Sequence, residues 1–235
     1  MAGRKRKKKR NRYRKHIIIW VLLLLVAAYF CDDKLQQTLH KMPSEADCEL
    51  IVVNKWNTIP DGYQTELTTL SNGKQIASRI YPALQDLFDA MRADGIYPIV
   101  REGYRTTTDQ QSILDDKIKA YEQEGLSSLL AKKMASEWVA APGTSEHQLG
   151  IAVDINADKT KSTNDEVYTW LAEHAWEYGF ILRYPKDKEN VTGTGYEPWH
   201  YRYVGKEAAK EIWQEGCCLE EYAVSYTHLR AHETT

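Results

Sequence analysis

Apolar residues fall along this chain in two regimes. From Ile17 to Phe30 they form one unbroken run of 14 residues; beyond Cys48 they recur in short β-like clusters and at helical intervals. "ELIVVNKW" from Glu49 carries a β-branched cluster that predicts a first strand. Ile80, Leu84, Leu87, Phe88 and Met91 share one face of a predicted helix over 76–94, which Gly95 stops. "IYPIV" predicts an extended segment, and Thr107 or Thr108 is placed to cap a helix reaching about Glu124. A further helix is expected from Ser127 to about Val139, ended by "APG". Gly150 to Ile155 reads as a buried strand and Asn164 to Tyr178 as a helix closed by Gly179. "FILRYP" and "WHYRYV" predict two more strands, and "KEAAKEIWQEG" a closing helix. The connections are too short and irregular for a repeated βαβ array, so the expected class is α+β.

Charge changes the picture at the N-terminus. Residues 1–15 hold ten Lys or Arg and no acid, leaving 21 basic against 33 acidic residues, a net charge of −12 with histidine neutral. An acidic body is a poor partner for nucleic acid, which needs clustered cations on the folded surface. The basic head instead flanks the apolar run, an arrangement that keeps the N-terminus in the cytoplasm and exports the rest of the chain. Fourteen residues is shorter than the roughly 20 of a comfortable span, and Val26-Ala27-Ala28 would suit signal-peptide cleavage. No Gly or Pro breaks the run, however, and Tyr29, Phe30 and Cys31 can extend it. The expected organisation is therefore a basic cytoplasmic segment (1–15), a signal-anchor transmembrane helix (16–31), a polar stalk (32–48) and one extracellular domain (49–222). Cys31 follows the bulky Phe30 and does not suit lipidation. The four cysteines lack metal-site spacing; either Cys48 pairs with Cys217 or Cys218, or the thiols stay free. The tail "VSYTHLRAHETT" lacks periodicity and resembles translated adapter sequence, so 223–235 are expected to be non-native and disordered, and His228 and His232 are assigned no metal.

Of seven histidines, His16 flanks the apolar run, His40 lies in the stalk, and His174 sits in a helical pattern. His147 and His200 keep less ordinary company. His147 precedes Asp154 by seven residues across Gly150, and a turn there would fold it back beside the strand that bears Asp154. His200 follows Glu197 by three residues, and Pro198 between them disfavours a helix, which excludes the helical two-histidine metalloprotease motif. A catalytic zinc takes three N/O protein ligands and leaves one position open. His147, Asp154 and His200 supply such a set, with Glu197 as a spare carboxylate. Hydrogen-bonded polar residues without a metal are the alternative. Trp199 and Tyr201 alternate with His200 and are expected on the opposite face. Arg101 is read as structural or surface.

Two motifs carry a resemblance. "SEHQLGIAVD" fits S-x-H-x-x-G-x-A-x-D and "EPWHY" fits E-x-W-H-Y, the patterns of the LAS metallopeptidases and specifically of VanY-type D-alanyl-D-alanine carboxypeptidases. "EGYRTTTDQ" is similar to the family's S-G-Y-R-S-x-x-x-Q, with Glu102 and Thr106 in place of its serines. The resemblance extends from about Glu49 to Tyr222. It implies a small, mostly antiparallel sheet flanked by helices, with Zn²⁺ held by His147, Asp154 and His200. It also implies Glu197 as catalytic base, Arg105 as partner of the oxyanion, and Ser145, Gln110 and Tyr104 as substrate contacts. The implied reaction is removal of the C-terminal D-Ala from peptidoglycan stem peptides by a monomer. An L,D-carboxypeptidase on tetrapeptide stems, a dipeptidase, and a non-catalytic wall-binding domain of the same fold are the alternatives.

Overall fold

The computed structural model describes residues 49–225. The basic head, the expected anchor, the whole stalk with Cys48, and residues 226–235 lie outside the described residues. No helix among the described residues is long and apolar enough to cross a membrane. In chain order the elements are β1 (Leu67–Thr69), β2 (Gln75–Ala77), α1 (Tyr81–Ala93), β3 (Pro98–Glu102), α2 (Thr107–Gln123), α3 (Ser128–Trp138), β4 (Ala152–Ala157), α4 (Asn164–His174), β5 (Phe180–Leu182), α5 (Glu189–Thr192), β6 (His200–Tyr203) and α6 (Lys206–Glu215). A last helical stretch, α7, covers 219–225. The class is α+β. β1 and β2 form an antiparallel hairpin, and the main sheet has the order β3-β4-β6-β5 with antiparallel neighbours throughout.

Period-2 alternation divides the central strand between core and cleft. Val153, Ile155 and Ala157 of β4 enter the core; Asp154 and Asn156, between them, are only partly buried. Leu84, Leu87, Phe88 and Met91 of α1 and Val167, Trp170 and Leu171 of α4 fill the same core. The apolar spacing of α1 thus comes out as expected, although β2 and a 3-10 turn at Ser78–Ile80 occupy its predicted first turns. α2 is capped by Thr106, one residue before the candidates read from sequence, because Asp109 completes a capping box with it. α3 forms where predicted, with the expected end residues Ser127 and Val139 as its caps.

The predicted first strand does not form. Residues 50–53 keep the alternation, sending Ile51 and Val53 to the main core and Leu50 and Val52 to a second cluster beneath α6. Their backbone lacks a strand partner: the carbonyls of Glu49 and Ile51 instead accept from Arg202 Nη2, each at 3.0 Å. Burial on both sides reproduces the β pattern without a ladder. At the other end, residues 223–225 continue α7 as helix, so the helical segment reaches three residues into the expected tail; the rest of that tail lies outside the described residues. Among the described residues Cys217 and Cys218 are free thiols, and burial pushes the Cys218 thiol up to about 11; the expected partner Cys48 lies outside the described residues.

Candidate metal centre and active site

Strand register brings the first two candidate ligands together. Asp154 of β4 sits directly opposite His200 of β6, a spacing at which cross-strand side chains on one face meet. His147 arrives from a 3-10 turn at Glu146–Leu149, which ends on Gly150 in the left-handed conformation at φ 73°. A β-carbon at Gly150 would also press on the Ala77 amide at 3.1 Å, so glycine is needed here twice over. The predicted turn therefore exists and delivers His147 to the strand pair. His147 Nε2 lies 3.5 Å from Asp154 Oδ1, and His200 Nδ1 lies 3.1 Å from the same oxygen. One ligand atom from each of the three residues falls within 4.8 Å of the others.

These side chains fit a zinc ion. Asp154 Oδ1 is buried and has no hydrogen-bond partner although it faces both imidazoles, an arrangement that suits a cation. His147 is held from behind, and His200 faces a carboxylate there. His147 Nδ1 donates to the Gly103 carbonyl at 2.8 Å, which leaves Nε2 free to ligate. Gly103 follows a register irregularity between Val100 and Glu102, and a β-carbon on it would collide with the Gln75 carbonyl. Behind His200, Nε2 lies 3.7 Å from Glu146 Oε2. Burial drives His147 towards the neutral form despite Asp154. Burial acts in the same direction on His200, but Asp154, Glu146 and Glu197 outweigh it and push the imidazole up to about 9. Asp154 stays ionised: burial opposes this, and the two histidines overcome it.

Glu197 stands outside the trio, its Oε2 3.6 Å from His200 Nδ1 and its side chain 20% exposed. Pro198 keeps it out of a helix, and its amide donates to the Tyr184 carbonyl at 3.2 Å. Burial and the Asp154 charge raise its pKa against the pull of His200 and Arg105. Across the cleft, Arg105 Nη2 lies 3.9 Å from Asp154 Oδ2, and Nη1 donates to Gln110 Oε1 at 3.3 Å. Gln110 is buried, and its Nε2 donates to the Ala140 carbonyl at 2.7 Å, so both ends of its amide are occupied within the protein. Ser145 is buried on the cleft wall and its side chain makes no cap hydrogen bond.

The cleft over this centre encloses about 260 Å³ and is lined by Arg105, Gln110, Ser145, His147, Asp154, Glu197 and His200 together with residues of α3 and of the loops before β6. Seven of the eight expected site residues therefore converge. Tyr104 does not: its side chain is not among the lining residues, and its amide donates to the Gln75 carbonyl at 2.6 Å. In an extended segment neighbouring side chains diverge, so placing Arg105 in the cleft turns Tyr104 away. Trp199 also departs from expectation, since it lines the cleft, whereas Tyr201 packs in the core as predicted. Arg101 is exposed.

Sequence reasoning missed Glu146, Arg183 and Arg202. All three are fully buried side chains. Glu146 Oε1 accepts from Arg183 Nε at 2.7 Å and pairs with Arg202 Nη1 at 2.9 Å; Arg183 also grips Glu220 of α7 at 2.6 and 2.9 Å. The available signal was an arginine inside each of two apolar strand patterns, "FILRYP" and "WHYRYV", beside a glutamate next to a ligand histidine.

The chain is similar in sequence and fold to known proteins. A family model described as VanY, D-alanyl-D-alanine carboxypeptidase, matches residues 73–206. A D-alanyl-D-alanine carboxypeptidase of Enterococcus faecalis is 58% identical over 191 residues, spanning 81% of this chain and 71% of the relative. Two solved structures each align with a TM-score of 0.72 at 60% identity over 74% of this chain. One is a vancomycin-resistance D,D-pentapeptidase VanY variant in complex with Zn(II), matched over 98% of its length; the other is VanYB in complex with D-alanine-D-alanine, over 96%. Fold and centre together define a zinc metallo-carboxypeptidase. The chain belongs to the VanY family of D-alanyl-D-alanine carboxypeptidases.

Proposed function

We propose that this chain is a zinc-dependent D,D-carboxypeptidase that removes the C-terminal D-Ala from peptidoglycan stem peptides. The observation that carries the reading is the spare carboxylate: Glu197 borders the metal trio, is mostly buried, and has a pKa raised by that burial. A domain that only bound cell wall would have no use for a base there. Zinc held by His147, Asp154 and His200 supplies Lewis acidity, polarising the scissile carbonyl and acidifying the attacking water. Glu197 accepts the proton of that water and delivers it to the nitrogen of the departing D-Ala. The Arg105 guanidinium, steadied by Gln110, faces the carbonyl oxygen as negative charge develops on it. Gln110 is thus a positioning residue, and the Ser145 hydroxyl is the better candidate for direct contact with the terminal residue.

The test is release of D-Ala from a pentapeptide by the wild type and by Glu197→Ala, with zinc content measured on both. Loss of about 10³-fold in rate with zinc retained is expected; equal rates at equal zinc content would sink the mechanism. A tetrapeptide stem assayed beside the pentapeptide separates D,D from L,D specificity, and faster turnover of the tetrapeptide would reverse the assignment. We further propose that the apolar run at Ile17–Phe30, behind its ten cations, anchors the domain on the outer face of the cell membrane. Recovery of the full chain in the soluble fraction of lysed cells would contradict this.

A further inference from the structure

We infer that Lys55 is the cleft's carboxylate-binding subsite and that it holds a carboxylate of the peptide substrate; the inference rests on the peptidase reading above. Among the described residues, Lys55 and Arg105 are the two Lys or Arg side chains that line the cleft. Arg105 is turned towards Asp154 and Gln110, where the scissile carbonyl is to be met, and is engaged there. The Gln110 amide is occupied at both ends. The other charged groups lining the cleft (Glu137, Glu146, Asp154 and Glu197) are acidic and would repel an anionic peptide. A carboxypeptidase nevertheless has to recognise a carboxylate.

Lys55 is equipped for that task. Its ammonium lies 4.4 Å from the centre of the Trp56 ring, and among the described residues no carboxylate pairs with it. Its backbone is held in a built turn. The neighbouring Asn54 is 5% exposed and donates to Glu220 Oε1 at 3.0 Å; its Oδ1 accepts from the amides of Trp56 and Asn57, each at 3.0 Å, and from Asn57 Nδ2 at 2.9 Å. The stem of Lys55 lies across Gly193 so closely that a β-carbon there would approach Lys55 Cε to 2.7 Å. A fixed turn and a glycine seat thus present one ammonium to the cleft, where a charge-assisted bond to a carboxylate is available.

Two carboxylates of a stem peptide could occupy the subsite: the C-terminal one, or that of an acidic residue upstream of the scissile bond. Four peptides distinguish them, with each carboxylate free or converted to its amide, assayed on wild type, Lys55→Met and Lys55→Arg. Lys55→Met is expected to lose about 10-fold in kcat/KM, mainly through KM, on the peptide with both carboxylates. Amidation of the carboxylate that Lys55 reads should abolish the difference between wild type and Lys55→Met, and amidation of the other should leave it. Lys55→Arg should retain most activity, and the melting temperature should stay unchanged because the side chain is exposed. The inference is overturned if Lys55→Met loses nothing, or loses as much on the doubly amidated peptide. Should the wild type turn over none of these peptides, the peptidase reading fails. Calorimetric binding of the same four peptides to zinc-loaded Glu197→Ala, with and without Lys55→Met, still decides the role of Lys55.

Discussion

Glu146 shows how much one side chain can hold in place. Its carboxylate neutralises Arg183 and Arg202 inside the protein and stands behind the His200 ring on the side away from the metal. Burial presses against the charged form of all three groups. Arg183 resists it with two carboxylates, Glu146 and Glu220, and is raised; Arg202 shares Glu146 alone and is lowered. Truncation at Glu146 strips the buried Arg202 of its carboxylate and leaves Arg183 with Glu220 alone, so Glu146→Ala is expected to cost about 3–5 kcal/mol in denaturant unfolding. Glu146→Gln retains the shape and removes the charge behind His200. It should weaken zinc by about 10- to 100-fold, as outer-shell substitutions do, measured by competition with a chelating dye. His200 supplies a second test at this scale. Its pKa of about 9 without metal means that it carries a proton at neutral pH, and a ligand imidazole must lose that proton. Zinc binding to the metal-free protein at pH 7 should release about one proton, with affinity rising with pH until His200 titrates. Calorimetry in buffers of different ionisation enthalpy counts that proton directly.

Among the elements, the β4–β6 pair and the 3-10 turn before it do most to assemble the centre, and they were also the most legible. Gly150, Asp154 and His200 stand at informative positions in the chain, and their types limit what they can do. Tyr104 was misplaced because its motif neighbour Arg105 is in the cleft, and adjacent extended residues face opposite ways. The strand expected from Glu49 over "ELIVVNKW" failed for a different reason: alternation reports two-sided burial, and here the carbonyl partner is the Arg202 side chain. The hairpin β1–β2, with three residues per strand, is too short to register as a period. Glu146, Arg183 and Arg202 stayed hidden because charged residues are assumed to lie on the surface until the structure shows their partners. Gly103 offers the test at this scale. A methyl there would push the β2 backbone away and move the carbonyl that orients His147. Gly103→Ala should lose about 1–3 kcal/mol and bind zinc more weakly. Gly195→Ala, where nothing lies within 4 Å of the added carbon, should do neither; thermal melts of both variants decide it.

For the whole molecule, the metal contributes to the fold as well as to the chemistry. The ligands come from two strands and a turn, so an ion that binds only the folded chain stabilises it by mass action, by about 4 kcal/mol at a thousand-fold excess over Kd. Chelation should therefore lower the melting temperature as it removes activity, and zinc should restore both. His200→Ala should make the melting temperature insensitive to zinc.

The grip of Arg183 on Glu220 bears on the order of synthesis. The residues that complete the backing of His200 are among the last of the domain to leave the ribosome. A nascent chain that ends before Glu220 already contains every metal ligand but leaves Arg183 short of one of its two carboxylates. Chains arrested at Gly216 should therefore be more sensitive to protease and hold zinc less tightly than chains arrested past Ser225. Docking of the last described helix would in this way be the step that completes the ion-pair network behind the metal centre.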